Sequence, residues 1–118
     1  MAEGKPPVEV ELTWDSDLRF RGRAGTAPVV VDSDGAVGPS PVQALAMALA
    51  GCMSVDVVHI LQRGRQPLEG LRARLVAGRA PEDPHRLVSV DLRFTVMGAV
   101  PADKVERAIA LSRETYCS

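Results

Sequence analysis

The residues of this sequence whose types and spacing could do chemistry are two cysteines, an Asp–His pair and a stripe of arginines. Cys52 stands in the small-residue run "ALAMALAGCM" at 44–53, and Cys117 lies far away in "RETYCS". At helical spacing Leu45, Ala48, Leu49, Cys52, Val55, Asp56 and His59 share one side. A histidine two turns from a thiol favours the thiolate, and an aspartate one turn away opposes it. Free cysteine is also among the most buried residue types, so by sequence physics alone Cys52 is first a packing residue and second a reactive one. His59 at this spacing is equally a satisfied surface histidine. Two Cys and two His without clustered spacing fall short of a zinc ligand set.

The arginines sit in "LRFRGR" at 18–23, where Arg19, Arg21 and Arg23 alternate with Leu18 and Phe20. One of them could present its guanidinium to an anion or to a polar substrate oxygen. The plainer reading is charge pairing with Glu9 and Glu11 on the preceding strand, worth a few tenths of a kcal/mol each. "GRAG" (22–25) keeps Arg23 between glycines in a flexible spot, which makes it the preferred candidate.

These side chains need elements to position them. "VEVELTW" (8–14) alternates strictly and reads as a half-buried strand, with Val8, Val10, Leu12 and Trp14 on one face. A three-residue loop "DSD" joins it to the arginine strand and pairs Trp14 with Leu18, Leu12 with Phe20, Glu11 with Arg21 and Glu9 with Arg23. A two-residue loop would set Leu12 opposite Arg19 and break the faces. "APVVVDS" (27–33) is a third strand, followed by a Gly-rich loop. Ser40 as N-cap, Pro41 at the first helical position and Gln43 three residues after the cap make a capping box. The helix runs to about Arg63, and "RGRQP" ends it through Gly64 and Pro67. Strands at 68–80 and 85–98 follow, joined by "APEDP" at 80–84. A last helix covers 101–114, with Val105, Ala108, Ile109 and Ser112 inward and Asp103 and Arg107 outward. The order βββ-α-ββ-α groups antiparallel strands and gives an α+β fold.

The chain has 118 residues and a formal charge of −1, with 14 basic and 15 acidic side chains. That fits one domain, 1–118, and gives no electrostatic pull toward nucleic acid or an anionic membrane. Aromatic residues make up 3% of the chain, so the core must be aliphatic. The N-terminus lacks the pattern of a signal peptide. The apolar run 44–53 is short of the roughly 20 residues that span a bilayer. Two distant cysteines form no secreted disulfide scaffold. The expectation is a cytoplasmic protein with reduced thiols, no nucleic-acid partner and no membrane.

Before Cys52 the central helix is apolar on nearly every side, and such a helix must be buried on every side. One chain of this length hardly surrounds it. Its alanines and Gly51 let another backbone come close, so a second copy of the chain is the economical partner.

The stretch "GPSPVQALAMALAGCMSVDVVHIL" resembles the central helix of the OsmC/Ohr family, and "VERAIALSRETYCS" resembles the family's last helix with its second cysteine. "SVDVVHIL" resembles the YhfA-like branch in particular. The resemblance covers nearly the whole chain. It implies an OsmC-like fold with a long, buried central helix in an intertwined homodimer, and two active sites at the subunit interface. It further implies a thiol-dependent peroxidase acting on organic hydroperoxides, with Cys52 peroxidatic and Cys117 resolving. The peroxide turns Cys52 into a sulfenic acid, Cys117 closes a disulfide, and an external dithiol reduces it. No cofactor and no metal are implied. Arg23 matches the Gly-Arg-x-Gly setting of the family's arginine, which favours the thiolate and holds the peroxide, with Arg21 as a neighbouring substrate contact. Val42 and Gln43, also in the substrate-binding set, occupy the positions after the helix-leading proline where family branches carry a glutamate. The alternative is a non-catalytic OsmC-like dimer that binds a small apolar ligand at the interface pocket. Family members usually continue past the second cysteine, so their final strand is expected to be missing from this chain.

Overall fold

The computed structural model of the protein describes residues 5–116, and side chains through 114. Five strands and two helices follow in the expected order: β1 (Val10–Ser16), β2 (Arg19–Ala24), β3 (Ala27–Asp32), α1 (Pro41–Arg63), β4 (Gly70–Arg79), β5 (Leu87–Met97) and α2 (Ala102–Leu111). A π-helical turn, Ser112–Tyr116, extends α2. The residues divide into two compact units, with the boundary after Leu45 in the first turns of α1.

In the first unit β1, β2 and β3 form an antiparallel meander. The β1–β2 register differs from the sequence expectation. Trp14 faces Phe20, Leu12 faces Gly22, Thr13 faces Arg21 and Glu11 faces Arg23. The connection is a tight turn at Asp17–Leu18, with Asp17 at φ 48°, combined with a bulge between Trp14 and Ser16. The bulge inserts one residue, so a two-residue turn no longer breaks the faces. Trp14 Nε1 donates to the Asp17 carbonyl at 2.8 Å and holds this corner. At Gly22 an added Cβ would stand 2.8 Å from Leu12 Cδ2, so the exposed Leu12 side chain would have to turn aside.

The loop from β3 to α1 is organised by one buried carboxylate. Asp32 is 1% exposed and accepts from the backbone N–H groups of Asp34, Ala36 and Val37 at 3.0–3.1 Å. Arg19 Nε lies 3.5 Å from Asp32 Oδ2. Burial pushes the Asp32 carboxyl up, but the three N–H donors and Arg19 outweigh it and hold it below the ordinary aspartate range. The Asp32 N–H in turn donates to the Pro39 carbonyl at 2.9 Å, which delivers the chain to the helix cap.

At that cap Gln43 N–H donates to Ser40 Oγ at 3.1 Å, and Ser40 N–H donates to Gln43 Oε1 at 2.9 Å. The capping box therefore forms as the sequence predicts. At the other end the helix stops after Arg63, and the left-handed residue is Arg65, at φ 58°, not Gly64. Gln66 N–H reaches back to the Leu61 carbonyl at 3.0 Å.

In the second unit β4 and β5 pair antiparallel, from Gly70 opposite Met97 to Arg79 opposite Leu87. Its core is Val57, Leu61 and Ala108, with Ile60, Leu68, Leu71, Phe94, Val100 and Ile109 packed around them. Val105, Ala108, Ile109 and Ser112 turn inward on α2 as expected. The expectation of a buried central helix is corrected for the single chain. Only Val57 and Leu61 of α1 are buried, while Leu45, Met47 and Val55 are 58–68% exposed. One chain supplies packing atoms for one side of the helix and not for the other. By length and composition alone, α1 is also long and apolar enough to cross a bilayer, although its unbroken apolar run is short.

Two outcomes follow for stability. Truncating Leu61 to alanine is expected to cost about 2–5 kcal/mol in denaturant unfolding. The depressed Asp32 carboxyl means that the unfolded chain binds more protons than the folded one below the unfolded value of about 4. Its stabilisation is thus fully present above that value and is lost as pH falls through the folded one. An Asp32→Asn variant should melt earlier at neutral pH and show a flatter loss of thermal midpoint between neutral and acid pH.

Candidate functional site

Cys52 stands on α1, twelve positions into its sequence, and is exposed. The side on which the sequence groups Leu45, Ala48, Leu49, Cys52 and Val55 is the open side of the helix. The packed side carries Val57 and Leu61. Asp56, one turn after Cys52, sits at the border between the two and is half-buried. It accepts a 2.8 Å hydrogen bond from Ser112 Oγ. Ser112 itself is fully buried at the end of α2. Beyond it opens a groove of about 470 Å³ lined by Asp56, His59, Ile60, Arg63 and Leu111. His59 is therefore a groove-lining residue two turns from Cys52, with an exposed ring.

The arginines belong to the first unit and are not equivalent. Arg19 is committed to the buried Asp32. Its Nε is itself buried and has no hydrogen-bond partner, so its contact with Asp32 is electrostatic. Arg21 is largely exposed and reaches Asp15 Oδ1 at 3.7 Å. Arg23 is exposed and stands opposite Glu11 and Pro28 in the ladder. The expected partners thus shift: Glu11 faces Arg23 and not Arg21. "GRAG" is a strand end and not a loose segment. Gly25, at φ 62°, makes the turn that brings β3 back beside Arg23.

Val42 is half-buried in the first turn of α1, and Gln43 is occupied in the capping box. Gln43 belongs to the first unit and Cys52 to the second. Cys117 lies outside the described residues. Two contributors escaped the sequence reading. Asp32 had a signal in "DSDG", an aspartate followed by turn residues that can bond its side chain. Ser112 was placed inward, but nothing in the pattern named Asp56 as its partner.

Residues 32–118 match the family described as OsmC-like protein. The chain belongs to the OsmC-like family. Its α+β fold, βββ-α-ββ-α, is the OsmC-like fold. Among curated proteins it is 35% identical over 114 residues to Protein YhfA of Escherichia coli K12, covering 94% of this chain and 85% of that one. A solved hypothetical protein from Aquifex aeolicus VF5 superposes with TM-score 0.89 at 27% identity, over 97% of this chain and 84% of the other. An OsmC like protein from Mycoplasma pneumoniae shares the fold, with TM-score 0.83 at 13% identity over 95% and 84%.

The double hydrogen bond at the helix head sets a test of Gln43. Gln43→Ala removes one arm of the cap and is expected to destabilise by about 0.5–1 kcal/mol. Gln43→Glu keeps the acceptor and adds a negative charge at the positive end of α1. It should be neutral to stabilising by about 0.3–1 kcal/mol in thermal or urea unfolding at neutral pH and low salt.

Proposed function

We propose that this OsmC-like chain is a thiol-dependent reductase of organic hydroperoxides, working as a homodimer in the cytoplasm with Cys52 as peroxidatic and Cys117 as resolving cysteine. The observation that carries the reading is the position of Cys52. In a family-matched chain, its thiol stands on the open apolar side of α1 and not in the Val57–Leu61–Ala108 core. A thiol sealed in that core would be a packing residue; one on an open face can meet a substrate.

The same open face supports the dimer. Leu45, Met47 and Val55 on α1, and separately Val10, Leu12 and Trp14 on β1, remain 58–69% exposed. Apolar area left in water costs about 25 cal/mol per Å², and a second copy of the chain removes it. A bilayer covers α1 less well, because Asp56, His59, Gln62 and Arg63 fall in its second half and Asp56 is bonded to Ser112.

In the proposed reaction the Cys52 thiolate attacks the peroxide, the O–O bond breaks, an alcohol leaves and Cys52 becomes a sulfenic acid. Cys117 displaces water from it to form the disulfide, and an external dithiol restores both thiols. Arg23, with Arg21 beside it, is the proposed cation for the thiolate and the peroxide. Arg19 is less suited, because Asp32 already holds it. Neither a cofactor nor a nucleic acid takes part.

One observation favours the second reading, a non-catalytic dimer with an apolar ligand at the interface. Val42 and Gln43 leave the helix head without a carboxylate to orient an arginine, and the Gln43 side chain is spent on the cap. Reduced protein treated with cumene hydroperoxide, without reductant, separates the two. The enzyme should lose two hydrogens by intact mass within seconds to minutes. Cys52→Ser should not react, and Cys117→Ser should stop at a sulfenic acid that dimedone traps. No mass change and no adduct at Cys52 would leave the binding reading. For assembly, sedimentation should give twice the mass of one chain, and Leu49→Lys should shift it toward the monomer.

A further inference from the structure

The outer face of the β4–β5 sheet carries a group of arginines that packing does not call for. Side chains alternate cleanly on this sheet. Leu71 and Ala73 of β4 and Phe94 and Val96 of β5 are half-buried on the inner face, where Leu71 and Phe94 pack against the core. Arg72, Arg74 and Val76 of β4 and Asp91, Arg93 and Thr95 of β5 make up the outer face, and all of them are exposed. The register sets Arg74 directly opposite Arg93, with Arg72 opposite Thr95 and Val76 opposite Asp91. Like charges directly across a ladder destabilise it. Asp91 answers one of them, because its Oδ2 accepts from Arg93 Nε at 2.9 Å. Among the described residues no acidic side chain pairs with Arg72 or Arg74. Charge on a two-stranded sheet discourages unwanted strand pairing at its edges, but mixed signs would serve that end without opposing Arg74 to Arg93.

We propose that this face docks an acidic protein segment held in extended conformation. A guanidinium offers a planar fork that meets a carboxylate through two parallel hydrogen bonds, and it gives up its water more readily than an ammonium does. Along β4 the two arginines are about 6.7 Å apart, and the Cβ of Arg93 stands about 5 Å across from that of Arg74. An extended segment with an acidic residue at every second position repeats its carboxylates at the same ~6.7 Å. Laid along β4, it brings one carboxylate to Arg72 and the next to the Arg74–Arg93 pair, where a negative charge offsets the opposition of two positive ones. Single-stranded nucleic acid suits this face less well, because none of its side chains is an aromatic ring on which bases could stack. An anionic membrane suits it less well too. The chain has a formal charge of −1, and its arginines here are fewer than the cluster of about four to eight basic residues that such a surface attracts. The site involves no thiol and stands independently of the hydroperoxide reading.

The test follows the fluorescence anisotropy of labelled peptides titrated with the full chain at low salt. One peptide alternates glutamate with threonine. The other has the same length and composition with its glutamates in adjacent pairs, so that neighbouring positions on one side of the extended peptide are never both acidic. Wild type should bind the alternating peptide about three- to tenfold more tightly than the paired one, and more weakly as salt is added. Arg72→Glu combined with Arg74→Glu should abolish both the binding and the preference. Lys104→Glu combined with Arg107→Glu, on the exposed side of α2 and with the same change in net charge, should keep the preference. Arg74→Thr should weaken binding about two- to fivefold. By removing the opposition to Arg93, it should also raise the thermal midpoint by about 1–5 °C. Equal binding of the two peptides would overturn the proposal, as would wild-type binding in the double reversal or in Arg74→Thr. So would a lowered midpoint in Arg74→Thr, since Arg74 would then serve the fold. Oligothymidylate or phosphatidylglycerol vesicles bound more tightly than the alternating peptide, and lost in the same variants, would replace the acidic segment with a nucleic acid or a membrane. Circular dichroism identifies the variants that keep the fold, and if the double reversal does not, Arg74→Thr decides alone.

Discussion

The rest of the structure depends on a helix that one chain cannot bury. Residues 41–63 are apolar over most of their circumference, and a single chain has one core to offer them. That core takes Val57 and Leu61 against Ala108. At about 100° per residue, Cys52 and Asp56 are about 40° apart around the helix. The carboxylate marks the border where packing ends, and the thiol stands just outside it. Burial of the helix and exposure of the thiol are thus two sides of one packing arrangement. A helix with a single apolar stripe would have placed any cysteine among apolar residues in the core.

Among the described residues three polar arrangements hold these elements, two of them local in sequence and one not. At the head of α1 the capping box satisfies two backbone N–H groups that no helix can satisfy internally. Upstream, Asp32 gathers three N–H groups of a loop that has no ladder to enter. A buried carboxylate is tolerated there because donors surround it and Arg19 lies beside it. At the far end Ser112 meets Asp56 and joins α2 to α1. Each of these fixes an end or an edge of the helix, and none of them makes its open face less apolar.

The parts legible in the sequence are those governed by local rules. Ser40, Pro41 and Gln43 fix the start of α1 because capping depends on neighbours three residues apart. Strand alternation gives β1 to β5, and helical spacing gives the inward side of α2. The β1–β2 register was not legible, since a bulge at Asp15 changes the pairing by two residues without disturbing which face each side chain takes. Nor was the packed side of α1, because an all-apolar helix carries no stripe to point at the core. The Cys52 side reads as well inward as outward by pattern alone, and only the position of Ala108 and its neighbours decides. The Asp56–Ser112 pair spans 56 residues and has no sequence period at all.

Covering the open face has an electrostatic consequence for the thiol. Apolar contact around Cys52 disfavours its charged form unless a cation enters with the covering atoms. A bilayer or an apolar ligand would bring none. In the proposed homodimer a second copy would offer Arg21 and Arg23 from an exposed strand, and neither of them is committed to a buried carboxylate as Arg19 is. Glu11, opposite Arg23, offsets part of that charge in water, where such a pair is worth little. Desolvation strengthens whichever contact the guanidinium makes next. The surface that removes the helix from water is therefore best suited to reactivity when it is also the surface that carries these arginines. That requirement is one the proposed homodimer would meet and a purely apolar cover would not.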